Sequence, residues 1–344
     1  MNEEITLSPA ALEAVIAAAM EASATSPSNA RSVARALAAA EIDGQAGHGL
    51  ARVPSYAAQA RSGKVDGHAT PRLHATRAAS LLVDAGCGFA FPAVDLAIPH
   101  LAKIAREAGI AAAGLVRSHH FGVAGRHVER LAEAGLVALA FANTPKAVPA
   151  WGGRRALFGT NPIAFAAPLA GKPAVVVDLA LSRVARGKIL VAAQKGERLP
   201  ENWAVDGDGR ATTDAQAALE GALQPIGGAK GAALALMVEV LAAALTGAHF
   251  AFEASSFLLA EGPPPAVGQF LVAIDPGAFV GEREFAERMV ALVQAIDGDG
   301  ARLPGSRRLV LRERAARSGV TVDAKLYAEV AAIAQRARKA ATSA

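Results

Sequence analysis

The stretch that most restricts this chain is Leu157-Phe158-Gly159-Thr160-Asn161-Pro162-Ile163-Ala164-Phe165-Ala166-Ala167-Pro168. It sets a polar turn between Trp151-Gly152-Gly153-Arg154-Arg155 and an apolar segment. Gly159 and Asn161 accept backbone angles that other residues avoid, and Pro162 fixes the direction in which the chain leaves. Thr160 and Asn161 then offer a hydroxyl and an amide from a held backbone, which suits the gripping of a small polar ligand. A plain strand-to-strand connection would read the same way, so spacing leaves both open.

The 344 residues suffice for a large core and for two lobes. Aromatic residues make up only 5% while Ala and Gly abound, which fits close-packed helical and α/β structure rather than disorder. The net charge of +4 is spread without a block of five or more like charges, so no nucleic-acid partner is expected; the excess favours small anions. A single cysteine, Cys87, excludes an internal disulfide framework and suits the reducing cytoplasm. The N-terminal residues are acidic and then amphipathic, with no basic n-region, so no signal peptide is expected. The most apolar run, 232–245, carries Glu239 and is short for a membrane span. It reads as a buried helix, with no membrane partner.

Ser8-Pro9 and Ser26-Pro27 cap and open two N-terminal helices, the second running to about Ile42. Apolar runs at 79–84, 109–116, 135–143, 174–181 and 270–274 predict strands. Helices are expected over 91–107, 123–133, 231–245, 282–295 and 321–339, with a long surface loop over 195–213. There is no convincing GxGxxG turn with a following acidic residue, so the residues alone do not announce a dinucleotide enzyme.

Several side chains carry possible chemistry. His48 and Arg52 stand four apart and would share a face if helical; Arg offers a planar fork to a carboxylate, and a nearby His can pass a proton. A surface polar pair is the plainer alternative. His119 and His120 are adjacent and point apart on a strand, which disfavours a shared metal; one core and one exposed histidine would be ordinary. Asp178-Leu179-Ala180 ends a Val-rich run, where a carboxylate and backbone groups can hold a ribose or an amide. Lys230, in Gly227-Gly228-Ala229-Lys230-Gly231, precedes an apolar helix, where an anion would offset its repulsion from the positive helix end; a glycine linker with a solvated lysine is the alternative. Lys146 could meet a second anionic group or be an exposed loop lysine. Asp206-Gly207-Asp208-Gly209 lacks the closing Glu of a calcium loop and reads as a turn; no metal is expected.

In chain order, Gly47-His48-Gly49-Leu50-Ala51-Arg52, Asp84-Ala85-Gly86, Ser118-His119-His120-Phe121-Gly122, the 157–168 stretch, Asp178-Leu179-Ala180 and Gly227-Gly228-Ala229-Lys230-Gly231 resemble the malate/L-lactate dehydrogenase family that is distinct from the Rossmann lactate and malate dehydrogenases. Its members include sulfolactate, ureidoglycolate and diketogulonate dehydrogenases and the cyclic ketimine reductases. The resemblance runs from about residue 5 to about residue 335. It implies a non-Rossmann α/β fold: a cofactor domain over 76–281 with a large mixed or antiparallel sheet, and a helical domain from both chain ends, 1–75 and 282–344. It also implies a homodimer and an NAD(P)-dependent oxidoreductase that interconverts a small 2-hydroxy acid and its 2-oxo acid. Residue by residue, the resemblance puts His48 and His120 on acid/base work and Arg52, Thr160 and Lys146 on substrate. Ser118, His120, Thr144, Asp178, Leu179, Ala180, Lys230, Gly305, Arg307 and Arg308 would hold NADH or NADPH.

Three departures refine this. Gly47 replaces the family's usual Ser, removing a hydroxyl that would orient His48. Lys188 stands where ketimine reductases carry Asp. Both favour a hydroxy acid over a cyclic imine. Ser306 replaces a usual Glu beside Arg307 and Arg308, which tilts the cofactor towards NADPH. The form Gly47-His48-Gly49-Leu50-Ala51-Arg52-Val53-Pro54-Ser55-Tyr56 and the Gly262-Pro263-Pro264-Pro265 run look most like the sulfolactate branch, with malate as the close analogue. The alternatives are a cyclic ketimine reductase of the piperideine- or pyrroline-2-carboxylate type and an inactive nucleotide-binding relative.

Overall fold

The computed structural model describes residues 3–342. Both predicted N-terminal caps are present. Ser8 accepts from the Ala11 amide ahead of the helix Pro9–Glu21, and Ser26 accepts from the Asn29 amide ahead of Pro27–Ile42. In each, proline occupies a first-turn position that has no intrahelical bond to lose.

The centre is a seven-stranded mixed sheet. Its spatial order is Arg72–Arg77, Ser80–Asp84, Ile110–Ser118, Val267–Ile274, Val137–Ala142, Ile163–Leu169 and Lys172–Leu179. Ser80–Asp84 and Ile110–Ser118 run parallel, joined through the helix Ala90–Ala108 as a parallel pair requires. The other pairs are antiparallel. The fold is thus α/β without a doubly wound nucleotide sheet. The sheet contributes Ala111, Ala113, Ala138, Ala140, Ala164 and Ala166 to the core. These small residues let Val94 and Leu101 of one helix, and Val128 and Leu131 of the helix Ala124–Glu133, pack close against it. A second apolar cluster gathers Leu12, Ile16, Leu37, Leu50 and Tyr56 with Ala315, Val322 and Val330, so both chain ends meet in one core.

Four sequence expectations change. The last helix begins at Ala324, because Val320–Asp323 is a strand paired with Glu4–Leu7; its alternating buried valines fit a strand, and a helical pattern begins only afterwards. The 195–213 loop contains the short strands Ala204–Val205 and Ala211–Thr212, which pair with each other while the first also pairs with Ala222–Leu223. The apolar helix Ala229–Glu239, continued by a π turn over Val240–Ala244, is buried on one face only, through Ala232, Ala235, Val238 and Ala242. Leu236, Val240 and Leu245 are 52%, 51% and 62% exposed. The helices Val53–Arg61, Arg186–Lys195 and Ser306–Ser318 were not anticipated. Among the described residues no helix is long and apolar enough to cross a membrane.

Candidate active site

His48 and Arg52 do not share an α-helical face. Two short 3₁₀ turns, Ala46–His48 and Leu50–Arg52, meet at Gly49. The break is built by Glu41, whose carboxylate accepts from the Leu50 amide at 2.7 Å. A Cβ on Gly49 would lie 2.1 Å from that carboxylate, so only glycine fits. Arg52 Nε donates to the Gly47 carbonyl at 2.7 Å, which leaves the Nη1–Nη2 edge for a carboxylate.

His120 comes to the same place from the end of the strand Ile110–Ser118. Its ring stacks on His48 with centroids 5.2 Å apart and planes 9° apart. Both histidines of the pair at 119 and 120 are buried, against the expectation of one exposed. Tyr56, one helical turn beyond Arg52, places its hydroxyl 2.5 Å from His120 Nδ1. Gln59, a further turn along, places Oε1 2.9 Å from His119 Nε2. Phe257 closes the cluster with its ring centroid 5.2 Å from that of His120.

Burial governs the electrostatics here. It lowers His48 to about 4, with the Arg52 charge adding to the effect. His119 falls to about 3 for burial and then for Lys64 and Arg52. Burial, then Arg52, His48 and His119, holds His120 well below the usual imidazole range. Burial raises the Tyr56 phenol, so it stays protonated. All three imidazoles are therefore neutral at pH 7 in the free chain. His48 Nδ1 is buried without a hydrogen-bond partner among the described residues, and a Cβ on Gly47 would meet nothing within 4 Å. The space that a serine would fill is open.

The Gly159-Thr160-Asn161 turn is organised from within the protein. Asn161, with φ +38°, is fully buried; its amide donates to the Ala235 carbonyl and, at 2.8 Å, to Glu239. Its amide therefore holds the fold and is not offered to a ligand. Glu239 also accepts from Asn143 and the Ala251 amide. Burial raises its pKa, and these donors, with the Gly159 amide, oppose that rise. A Cβ on Gly159 would lie 2.3 Å from the Thr144 carbonyl. The result joins Thr144 and Thr160: the Thr160 amide donates to Thr144 Oγ1 at 2.9 Å, and the two hydroxyls are 3.3 Å apart. Lys146 is exposed.

A second group of predicted residues surrounds a cleft of about 270 Å³ lined by Gly125, Arg126, Asp178, Gly305, Arg307 and Arg308, among others. Asp178 accepts from the Gly125 amide at 2.8 Å. Leu179, Ala180 and Arg307 are exposed, as is Lys230 in the first turn of its helix. Arg308 is not freed by the loss of an acidic neighbour, as Ser306 suggested. It is buried, and its Nη2 donates to Glu129 at 2.7 Å. Glu129 also binds Arg312 and Arg126, and Arg312 forks onto Asp43. Arg308 Nη1 and Ser118 Oγ remain buried without a partner among the described residues.

Sequence reasoning missed Tyr56, Gln59, Glu129 and Glu239. The first two follow Arg52 at four and seven residues, the repeat of one helix face, which was readable. Glu239 was visible as the lone charge in an apolar run, though only as an argument against a membrane span. Besides Arg126 on its own helix, Glu129 finds Arg308 and Arg312 across more than 170 residues, and no local pattern reveals that.

The chain is 51% identical over 313 residues to a (2R)-3-sulfolactate dehydrogenase (NADP(+)) of Chromohalobacter salexigens, covering 91% of each. It is 45% identical over 313 residues to a Delta(1)-pyrroline-2-carboxylate/Delta(1)-piperideine-2-carboxylate reductase of Pseudomonas putida, covering 90% of this chain and 92% of the relative. The crystal structure of delta1-piperideine-2-carboxylate reductase from Pseudomonas syringae pv. tomato superposes with a TM-score of 0.90 at 41% identity, over 96% of this chain and 99% of that one. With the family pattern itself matched over residues 7–331, this chain belongs to the malate/L-lactate dehydrogenase family.

Proposed function

We propose that the protein is an NADP-preferring dehydrogenase that interconverts a small anionic 2-hydroxy acid, of the sulfolactate or malate type, with its 2-oxo acid. The observation that carries this reading is the His120 ring, held by the Tyr56 hydroxyl and stacked on His48 beside Arg52. The relative named for sulfolactate and NADP(+) supports the substrate class and the cofactor.

The chain's residues fit a nicotinamide dinucleotide. Ser118 Oγ and Arg308 Nη1 are orphaned buried polar atoms, and the Asp178–Gly125–Gly305 cleft has a cationic rim. Asp178, Leu179, Ala180, Lys230, Gly305, Arg307 and Arg308, with Ser118 and Thr144, would hold it. When bound in reduced form it supplies hydride to the carbonyl carbon.

Arg52 binds the substrate carboxylate, with Thr160, and Lys146 for a second anionic group. That carboxylate cancels the Arg52 charge, one of the causes that depress His120. His120 can then take up a proton. The Tyr56 oxygen accepts the imidazolium Nδ1–H, which leaves Nε2–H to be given to the substrate oxygen as hydride arrives. His120 returns to the neutral form that its burial favours.

Cyclic imine reduction is the second reading, favoured by the similarity to the pyrroline- and piperideine-carboxylate reductases. Against it stand the vacant space at Gly47, the partnerless His48 Nδ1 and the exposed Lys188 in place of a carboxylate. Further parts of the reading are a unit from both chain ends, 1–75 with 282–344, against a cofactor unit over 76–281; a cytoplasmic place, in keeping with one free cysteine; and a homodimer. The exposed Leu234, Leu236, Met237, Val240 and Leu245 on one helix support the dimer, since an apolar helix seeks cover. The test is a panel of 3-sulfopyruvate, oxaloacetate, pyruvate and Δ1-piperideine-2-carboxylate with NADPH and NADH. Faster turnover of an open-chain oxo acid is expected. Preference for the imine would overturn the assignment.

A further inference from the structure

Residues 255–261 form a strap held from below by its own backbone. Lys64, only 2% exposed, directs its ammonium at the carbonyls of Ser256, Leu259 and Glu261, at 2.7, 3.0 and 3.2 Å. Three protons meet three acceptors with no carboxylate involved. Gln59 Nε2 donates to the carbonyls of Phe257 and Leu259 at 2.7 and 3.0 Å, and the Ser62 hydroxyl donates to that of Ala260. Two acceptors on the amide nitrogen fix the orientation of Gln59, so its Oε1 faces His119 and the histidine proton sits on Nε2. The strap thus inverts the usual order: Leu258 and Leu259 are 58% and 63% exposed while the carbonyls point inward. One strap side chain also turns in. Phe257 is 8% exposed, with its ring 5.1 Å from His119 and 5.2 Å from His120.

We propose that Phe257 is a specificity-determining residue of the site, the apolar wall beside His120 that limits the size of the substrate side chain, and that Lys64 and Gln59 are the positioning residues that hold it there. A buried lysine with only carbonyl partners is a costly way to fasten a loop. It is understandable where a single ring must be held against an acid/base histidine. The inference rests on the 2-oxo acid reading for its substrate. It does not rest on that reading for the fastening of the strap.

The test compares pyruvate with phenylpyruvate, using NADPH, in the wild type, Phe257→Ala, Phe257→Leu and Lys64→Met. In Phe257→Ala the ratio of kcat/KM for phenylpyruvate over that for pyruvate should rise by about tenfold, mainly through the KM of the larger acid. Phe257→Leu, which keeps an apolar core contact if the alanine variant folds poorly, and Lys64→Met should shift the ratio the same way by less. Equal proportional losses on both acids, or an unchanged ratio, would overturn the proposal, because a merely structural residue lowers both alike. Hydrogen exchange over 255–262 reads the fastening without turnover. Exchange at least about tenfold faster in Lys64→Met supports it, and unchanged exchange overturns it. If the wild type reduces neither of these acids, nor 3-sulfopyruvate nor oxaloacetate, yet the strap loosens as stated, the substrate reading has failed and the fastening stands.

Discussion

The histidine pocket and the Asp178–Gly305 cleft solve opposite problems in one fold. The pocket is aromatic and its imidazoles are uncharged: burial, with the Arg52 and Lys64 charges adding to it, keeps His48, His119 and His120 neutral. The cleft stands on buried charge instead. Glu129 gathers Arg126, Arg308 and Arg312, and Asp43 takes the other side of Arg312. Isolated ions are costly to bury, so the first region keeps its imidazoles neutral and the second pairs its ions. Proton transfer needs a group that gains and loses charge, whereas holding an anion needs one whose charge is fixed. The two regions should therefore fail differently when altered.

The largest effect is expected in the pocket. His120→Ala should lower kcat by about 10²- to 10⁴-fold, the usual range for a lost general acid. His48→Ala should cost less, because its Nδ1 has no partner to orient it whereas that of His120 has Tyr56. Steady-state rates for both variants decide this, and a larger loss in His48→Ala would exchange their roles. In the cleft the effect should appear as stability. Glu129→Ala leaves three arginines without their shared carboxylate, and breaking such a buried pair costs about 3–5 kcal/mol. Guanidinium denaturation measures it. An unchanged midpoint would mean that the network contributes nothing to the fold.

The same contrast explains what the sequence revealed. Capped helices, most strands of the central sheet and the motif residues His48, Arg52 and Asp178 all lie in local patterns of spacing and turn chemistry. The pairing of Val320–Asp323 with Glu4–Leu7 does not, because a strand joining the two chain ends has no local partner. Tyr56 and Gln59 were half legible, as positions on the helix face after Arg52. The reassignment of Arg308 was not: its burial and its partner Glu129 depend on packing between the helices Ser306–Ser318 and Ala124–Glu133. Apolar periodicity also misled at 232–245, since it reports that a face seeks cover and not whether the same chain supplies it.

A third measurement follows from pH. His127 is lowered to about 4, chiefly by burial, and its Nε2 donates to the Phe121 carbonyl. The folded chain keeps this group neutral while the unfolded chain protonates it near 6.5. Its stabilising contribution is therefore complete above about pH 6.5, declines as pH falls and is gone below about 4. Across that window the slope should be up to about 1.4 kcal/mol per pH unit for this one group. His127→Phe should flatten the fall of Tm between pH 6.5 and 4 relative to the wild type. An identical fall in both would show that His127 does not titrate differently on unfolding.

The smallest effect separates two neighbouring arginines. Arg308 is buried and already paired, so Arg308→Ala should disturb Glu129 as well as any ligand, and its cost should be insensitive to salt. Arg307 is exposed at the rim of the same cleft. An exposed ion pair contributes about 0.2–1 kcal/mol, at most about fivefold in affinity. If Arg307 meets the 2′-phosphate, Arg307→Ala should weaken NADPH by a factor in that range and leave NADH unchanged, because only NADPH carries the extra phosphate. Raising the salt should erase the difference, since screening acts on the exposed charge. Nucleotide fluorescence titrations with both reduced cofactors, at low and high salt, measure all of this. Equal losses for NADH and NADPH would remove the phosphate-specific role from Arg307 and leave cofactor choice to the buried Arg308 Nη1.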